Sequence, residues 1–171
     1  MRYIIASDLH GSAFWTEKLC GRIDELQPDR VILLGDLLYH GPRNDLPDGY
    51  APKRVIPMLN ALADRIIAVR GNCDTEVDQM VLSFPILSDS AYICDHGQRV
   101  FATHGHVWNP DKLPPLREGD IMLFGHTHVP LDEFCGGIRC INPGSVSIPK
   151  EGSAHRCLLW ENGEFSELIL S

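Results

Sequence analysis

No apolar run in the 171 residues approaches the length of about 20 that a bilayer-spanning helix needs. The opening MRYIIASDLHG has one basic residue and only a short apolar stretch before Asp8 and His10. It does not read as an export signal, so a cytoplasmic protein is expected. The six cysteines (20, 73, 94, 135, 140 and 157) form no CxxC pair and no regular ladder. That spacing excludes a zinc ribbon and argues for reduced thiols over a disulfide framework. Basic residues are scarce, with 15 Lys and Arg against 23 Asp and Glu, giving a net charge of -8. A nonspecific nucleic-acid or acidic-membrane surface would need the opposite balance, so neither a long nucleic acid nor a membrane is expected as partner. A small phosphate-bearing substrate remains compatible, because bound divalent cations reverse the local sign. Repeats, low-complexity tracts and linker-like stretches are also missing. The length and the 44% hydrophobic content fit a single domain over 1–171.

What is present is a series of short apolar runs. YIIAS (3–7), VILLG (31–35), IIAVRG (66–71), VFATHG (100–105) and IMLFG (121–125) read as strands buried on both faces. Between the first two, Phe14, Trp15, Leu19, Ile23 and Leu26 recur at helical spacing behind Ser12, a plausible cap. Residues 52–63 read as a second helix with an early proline. Strands alternating with helices imply parallel pairing and an α/β protein. The second half reads as hairpins over 91–103, 131–142 and 155–170, turning at Gly97, Gly136-Gly137 and Asn162-Gly163. The expected architecture is two packed sheets flanked by helices, with 40–51 as a long proline- and glycine-rich loop.

The residues just past each apolar run carry the chemistry. Asp8 and His10 follow the first, Asp36 the second, Asn72 the third, His104 the fourth, and His126 and His128 the fifth. Ligands bind at the carboxyl ends of parallel strands, so two carboxylates, one amide and four imidazoles are brought to one rim. Seven donors exceed the three or four of one catalytic ion and fit two ions about 3.5–4 Å apart. Asp36, alone at its strand end, is the candidate bridge, because a carboxylate can bridge with both oxygens. Mixed imidazole and oxygen donors suit manganese, iron, zinc, cobalt or nickel better than calcium or magnesium. Simpler roles compete at single positions. Asp8 and Asp36 could cap helices, Asn72 could serve a turn, and paired histidines could be surface residues; the ordered set of seven argues against all three.

In this order, DLH, GD, GN, HG and GHTH resemble the calcineurin-like metallophosphoesterases. GDLLYHGPRNDLPDGYAP, GNCD and NPGSVS (142–147) make the chain similar to that family's small bacterial YfcE-type phosphodiesterases. The resemblance implies the metallo-dependent phosphatase fold, a four-layer αββα sandwich of two mixed sheets flanked by helices. It implies that one ion, manganese first, takes Asp8, His10, Asp36 and His128, and a second takes Asp36, Asn72, His104 and His126. It also implies in-line attack on a phosphodiester by a metal-bridging hydroxide, and a homo-oligomer. Many relatives have histidine after the asparagine, where this chain has Cys73. Thiol is a weak hydrogen-bond donor, so esters with good leaving groups are expected to be favoured unless His40 or His106 supplies the proton. Asn72, Cys73 and His106 are the candidate catalytic residues, with Cys73 equally readable as a small apolar neighbour. His40 and Arg43 lie in the long loop, where a solvated role is the simpler one. Asp74 is either support for the ligands or the cap of a short helix over 75–82. Two alternatives remain: a phosphomonoesterase of the same fold, or a non-catalytic interaction scaffold such as the retromer subunit Vps29. The scaffold would tolerate lost donors and expose an apolar patch.

Overall fold

Aliphatic side chains dominate Tyr3–Ala6 (β1), Arg30–Leu33 (β2) and Ile66–Ala68 (β3), and each run gives way to a polar, glycine-containing turn. In the computed structural model, which describes all 171 residues, these strands pair in parallel, with Ile4 opposite Val31 and Ile32 opposite Ile67. The crossovers are Ala13–Leu26 (α1) and Pro52–Asn60 (α2). Ser12 caps α1, its Oγ accepting from the Trp15 N–H at 3.2 Å. α2 stops at Asn60, short of Ala63, because tighter bonds such as Leu62 N–H to Leu59 C=O (3.0 Å) take over.

The chain continues through a single turn of helix, Glu76–Gln79 (α3), into Ser90–Asp95 (β4) and Gln98–Thr103 (β5), then Ile121–Leu123 (β6). Leu131–Cys135 (β7), Ile138–Asn142 (β8), Arg156–Glu161 (β9) and Glu164–Ile169 (β10) complete it. The three hairpins turn on His96-Gly97, Gly136-Gly137 and Asn162-Gly163, and all six residues have positive φ, as tight two-residue turns require. No helix is long and apolar enough to cross a membrane.

Two five-stranded mixed sheets result, ordered β10-β9-β1-β2-β3 and β4-β5-β6-β8-β7. Between them pack Ile5, Ile32, Leu34, Val100, Leu123 and Trp160, while Ile4, Leu33, Leu19, Ile23 and Val55 fill the space between the first sheet and its helices. Each buried isoleucine or leucine contributes about 1.5–3 kcal/mol, so one layer of each sheet strand is fixed from both sides. This is the expected α/β sandwich. Its last layer differs in kind: the outer face of the second sheet is covered by the irregular segment 104–120, not by a helix. Pro110, Pro114 and Pro115 prevent a helix there, and Trp108, Leu113 and Leu116 pack on Phe101, Met122 and Ile138 instead. The parallel strands of both sheets point their carboxyl ends at a shared rim. The donors therefore come from β1, β2 and β3 of one sheet and β5 and β6 of the other.

Candidate metal centre

Each expected donor lies in a turn just beyond its strand, and the turns are tight. Asp8, His10, Asp36, His126 and His128 all have φ between 45° and 67°. Side chains other than glycine enter this left-handed region at about 1–2 kcal/mol each. Hydrogen bonds hold them there. The Asp8 N–H donates to Gly35 C=O (3.1 Å) and the His10 N–H to Asp36 C=O (2.9 Å), so the turns after β1 and β2 brace each other.

Three residues outside the donor set do much of the bracing. Asp74 is buried; its Oδ2 accepts from the Asp36 and Gly71 N–H groups, each at 2.8 Å, and its Oδ1 from the Leu37 N–H at 2.9 Å. Burial raises its carboxyl above the ordinary range in spite of these donors. Thr75, not Asp74, begins α3, donating through both N–H and Oγ1 to Asp78 Oδ2. From the NPGSVS turn, Ser145 and Ser147 both donate through Oγ to the Asp8 carbonyl, at 2.8 and 2.9 Å. Close approach also needs glycine: a Cβ on Gly71 would overlap Asp36, and one on Gly125 would overlap Ser7 Oγ and stand 2.8 Å from Asp8 Oδ2.

The side chains converge on two foci. At the first, His10 Nε2 and His128 Nε2 are 3.1 Å apart, and 3.6 and 3.3 Å from Asp8 Oδ1. His10 Nδ1 faces the Tyr39 carbonyl (2.8 Å) and His128 Nδ1 the Ile148 carbonyl (2.7 Å). A carbonyl only accepts, so both Nδ1 atoms carry hydrogen and the neutral rings turn bare Nε2 lone pairs toward each other. Asp8 Oδ1 is buried without any hydrogen-bond partner. Three acceptors meeting without a donor fit a cation.

At the second focus, His104 Nε2 lies 3.4 Å from Asp36 Oδ2 and 3.1 Å from Asn72 Oδ1, with its Nδ1 donating to Leu34 C=O at 2.6 Å. Asp36 Oδ2 is also 3.8 Å from His10 Nε2, so a single oxygen faces both foci. Asp36 Oδ1 accepts from the Cys73 N–H at 2.8 Å, so Oδ2 is the oxygen turned toward both foci. His126 stands at the edge, its ring centroid 5.2 Å from that of His104, while its N–H donates to Asp8 Oδ2 at 3.0 Å. His106 is exposed, its centroid 5.4 Å from His104. Cys73 Sγ is within 4.8 Å of donor atoms of His10 and Asp36 and accepts from Asn72 Nδ2 at 3.2 Å.

The titration behaviour matches this crowding. Burial opposes ionisation of Asp8, yet His10 and His128 hold its carboxyl well below the usual range. Burial likewise opposes charge on His104, but Asp36 draws it up to about 9. His10 is raised against burial by Asp8. Burial, then His104, brings His126 down to about 4. Burial, then Asp36, pushes the Cys73 thiol up to about 12. Buried carboxylates packed among imidazoles leave the site short of positive charge, which a divalent cation would supply.

A cavity of about 290 Å³ opens on the foci, lined by Asp36, Asn72, Cys73, His126 and His128, and also by Arg43 and Lys150. His40 packs between Tyr39 and Tyr50, ring centroids 4.8 and 5.2 Å away, and does not line it. Lys150 lay outside the sequence expectations, since it belongs to no motif; only its position soon after NPGSVS could have marked it.

Two mixed sheets whose adjoining strand ends gather carboxylates, imidazoles and an amide define a metal-dependent phosphoesterase. Residues 1–163 match the calcineurin-like phosphoesterase superfamily domain, and the chain belongs to that superfamily, whose members work with divalent metal ions. The phosphodiesterase YfcE of Escherichia coli strain K12 is 46% identical over 171 residues, covering 100% of this chain and 93% of that protein. A solved structure of the E. coli phosphoesterase YfcE superposes with a TM-score of 0.92 at 42% identity, covering 100% of each chain. Vps29 of Entamoeba histolytica, at 19% identity and a TM-score of 0.64 over 100% of both chains, shares the fold.

Proposed function

We propose that the chain is a cytoplasmic, homo-oligomeric phosphodiesterase for small phosphodiesters, its single domain holding two divalent ions, manganese first. Asp8, His10, Asp36 and His128 would hold one ion, and Asp36, Asn72, His104 and His126 the other. The observation that carries this reading is the buried Asp8 Oδ1, without a donor, beside two Nε2 atoms that face each other at 3.1 Å. The relative named as a phosphodiesterase supports the choice of reaction. The six free cysteines support a reducing compartment.

Divalent ions in such a site lower the pKa of water and offset charge on phosphoryl oxygens. The chain's own residues set the geometry. Carbonyl partners on Nδ1 fix the rings of His10, His104 and His128 so that Nε2 points inward. Asp36 Oδ2 addresses both foci, and its other oxygen is pinned by Cys73 N–H. Asn72, which lines the cavity, and His106, exposed beside His104, would meet the substrate. Cys73, buried next to them, is a weak proton donor for the leaving oxygen, so aryl esters should outrun alkyl esters.

The test is hydrolysis of bis-p-nitrophenyl phosphate and of p-nitrophenyl phosphate by metal-stripped protein, before and after manganese. Metal-dependent turnover favouring the diester supports the proposal. Equal monoester turnover keeps the metal site and overturns the Cys73 argument. A scaffold role has one observation in its favour, the exposed Val77, Met80 and Val81 on and after α3. Absence of turnover with every divalent ion would move that role to the front.

A further inference from the structure

The cavity over the foci carries more positive charge than a simple diester can use. A phosphodiester has one negative charge. Two dications would already balance Asp8, Asp36, a hydroxide and that single charge. Yet Arg43 and Lys150 line the same cavity, and neither is ion-paired in a protein of net charge -8. The arginines that do pair are Arg2, Arg22, Arg54, Arg99, Arg139 and Arg156, all elsewhere. Both cavity cations are tied to the site. The Lys150 N–H donates to the His128 carbonyl at 3.2 Å. The loop bearing Arg43 lies against Cys73, since a Cβ on Gly41 would stand 3.1 Å from Cys73 Sγ, and it is closed by Asn44 Nδ2 donating to the His40 carbonyl at 2.8 Å.

The cavity also lacks what a nucleobase would use. No Phe, Tyr or Trp lines it, and only one of its 11 lining residues is hydrophobic. Base-binding sites generally offer an aromatic platform for stacking. The space suits a compact, polar, charged group instead.

We propose that Arg43 and Lys150 bind a second anionic group on the substrate, so that the chain selects small phosphodiesters bearing a phosphate or carboxylate beside the scissile phosphodiester. This rests on the phosphodiesterase reading and names the substrate class for that site. Hydrolysis itself is unchanged: water adds to phosphorus, the ester bond to the leaving alcohol breaks, and that alcohol takes the proton.

The test uses manganese-loaded full-length protein and three p-nitrophenyl diesters that differ only in the second alcohol: propyl, 2-carboxyethyl and 2-phosphonoethyl. In the wild type, kcat/KM for a charged ester should exceed that for the propyl ester by about tenfold or more, as a charge-assisted contact implies. The better of the two charged esters tells carboxylate from phosphate. In the Arg43→Ala/Lys150→Ala double variant that ratio should fall to about one, and Arg43→Lys with Lys150→Arg should restore much of it. A wild-type ratio of one, or a ratio unchanged in the double variant, overturns the proposal. Calorimetric binding of methyl 2-carboxyethyl phosphate against methyl propyl phosphate gives a readout independent of turnover. Turnover of the propyl ester with no charge preference sinks this proposal alone. Absence of turnover on all three sinks the phosphodiesterase reading, and the binding preference then still decides whether the cation pair exists.

Discussion

Asp74→Asn is the sharpest perturbation of the support beneath the metal centre. The substitution keeps the shape and removes the charge. An asparagine can place its oxygen at the Oδ2 position and keep the Asp36 and Gly71 N–H bonds, each at 2.8 Å in the wild type. Its amide nitrogen then faces the Leu37 N–H, which Oδ1 accepts at 2.9 Å. One charge-assisted hydrogen bond becomes a buried donor–donor contact and two others lose their charge, for a cost of about 3 kcal/mol. For a chain of this size each kcal/mol moves Tm by about 2–4 °C, so the expected drop is about 6–12 °C. Because Asp36 and Leu37 share this anchor, manganese affinity should also fall by about 10–100-fold, the usual consequence of disturbing what orients a ligand. Thermal unfolding by circular dichroism in chelator gives the first number and calorimetric manganese titration the second. A Tm within about 2 °C of wild type, with unchanged manganese affinity, would refute the assignment of Asp74 as the anchor of both turns.

Three further outcomes follow from the same geometry. Gly125→Ala should weaken manganese binding by at least about tenfold and cost about 1–3 kcal/mol of stability, since the new methyl meets Ser7 Oγ and crowds Asp8 Oδ2; adding Ser7→Ala should recover part of the stability in urea unfolding. Manganese at about 100 times its Kd should raise the wild-type Tm by about 5–11 °C, a shift that Asp8→Asn should abolish in differential scanning fluorimetry. Away from the metals, the hydrogen bond from Arg99 lowers the Asp120 carboxyl. A carboxyl depressed on folding contributes stability above its unfolded pKa of about 3.9 that is lost as pH falls through the lower folded value. Urea unfolding at pH 6 and pH 3 should therefore show a smaller pH-dependent loss in Asp120→Asn than in wild type, and equal losses would count against the ion pair.

The convergence of Asp8, His10, Asp36, Asn72, His104, His126 and His128 on one rim was legible in the chain because each follows a short apolar run that reads as a buried strand, and strand ends are where parallel sheets place ligands. The hairpin turns were legible for a similar local reason, glycine after a residue that tolerates positive φ. What was not legible is relational. IIAS and FATH look alike as buried runs, and nothing local says that one belongs to the first sheet and the other to the second. Residues 104–120 carry enough apolar side chains to suggest a covering layer, but only tertiary packing shows that this layer has no helix. Asp74 precedes an acidic helical turn and so resembles a cap; its three backbone donors come from two separate strand ends, a pattern invisible along the sequence. The hydrogen bond that Asp36 Oδ1 accepts from Cys73 N–H likewise depends on the turn after β3 arriving beside the turn after β2.

The first focus joins His10 to His128, positions 118 residues apart and rooted in different sheets. A cation held there is a cross-link between the two halves of the sandwich, closed only after both have folded and docked. Unfolded or half-assembled chains cannot present that donor set, so the whole binding free energy acts against separation of the sheets. Chelation should consequently loosen the interior around Val100, Ile32 and Leu123 before either sheet loses its own ladder, and the solvent-shielded amides of that layer become the natural gauge of metal occupancy.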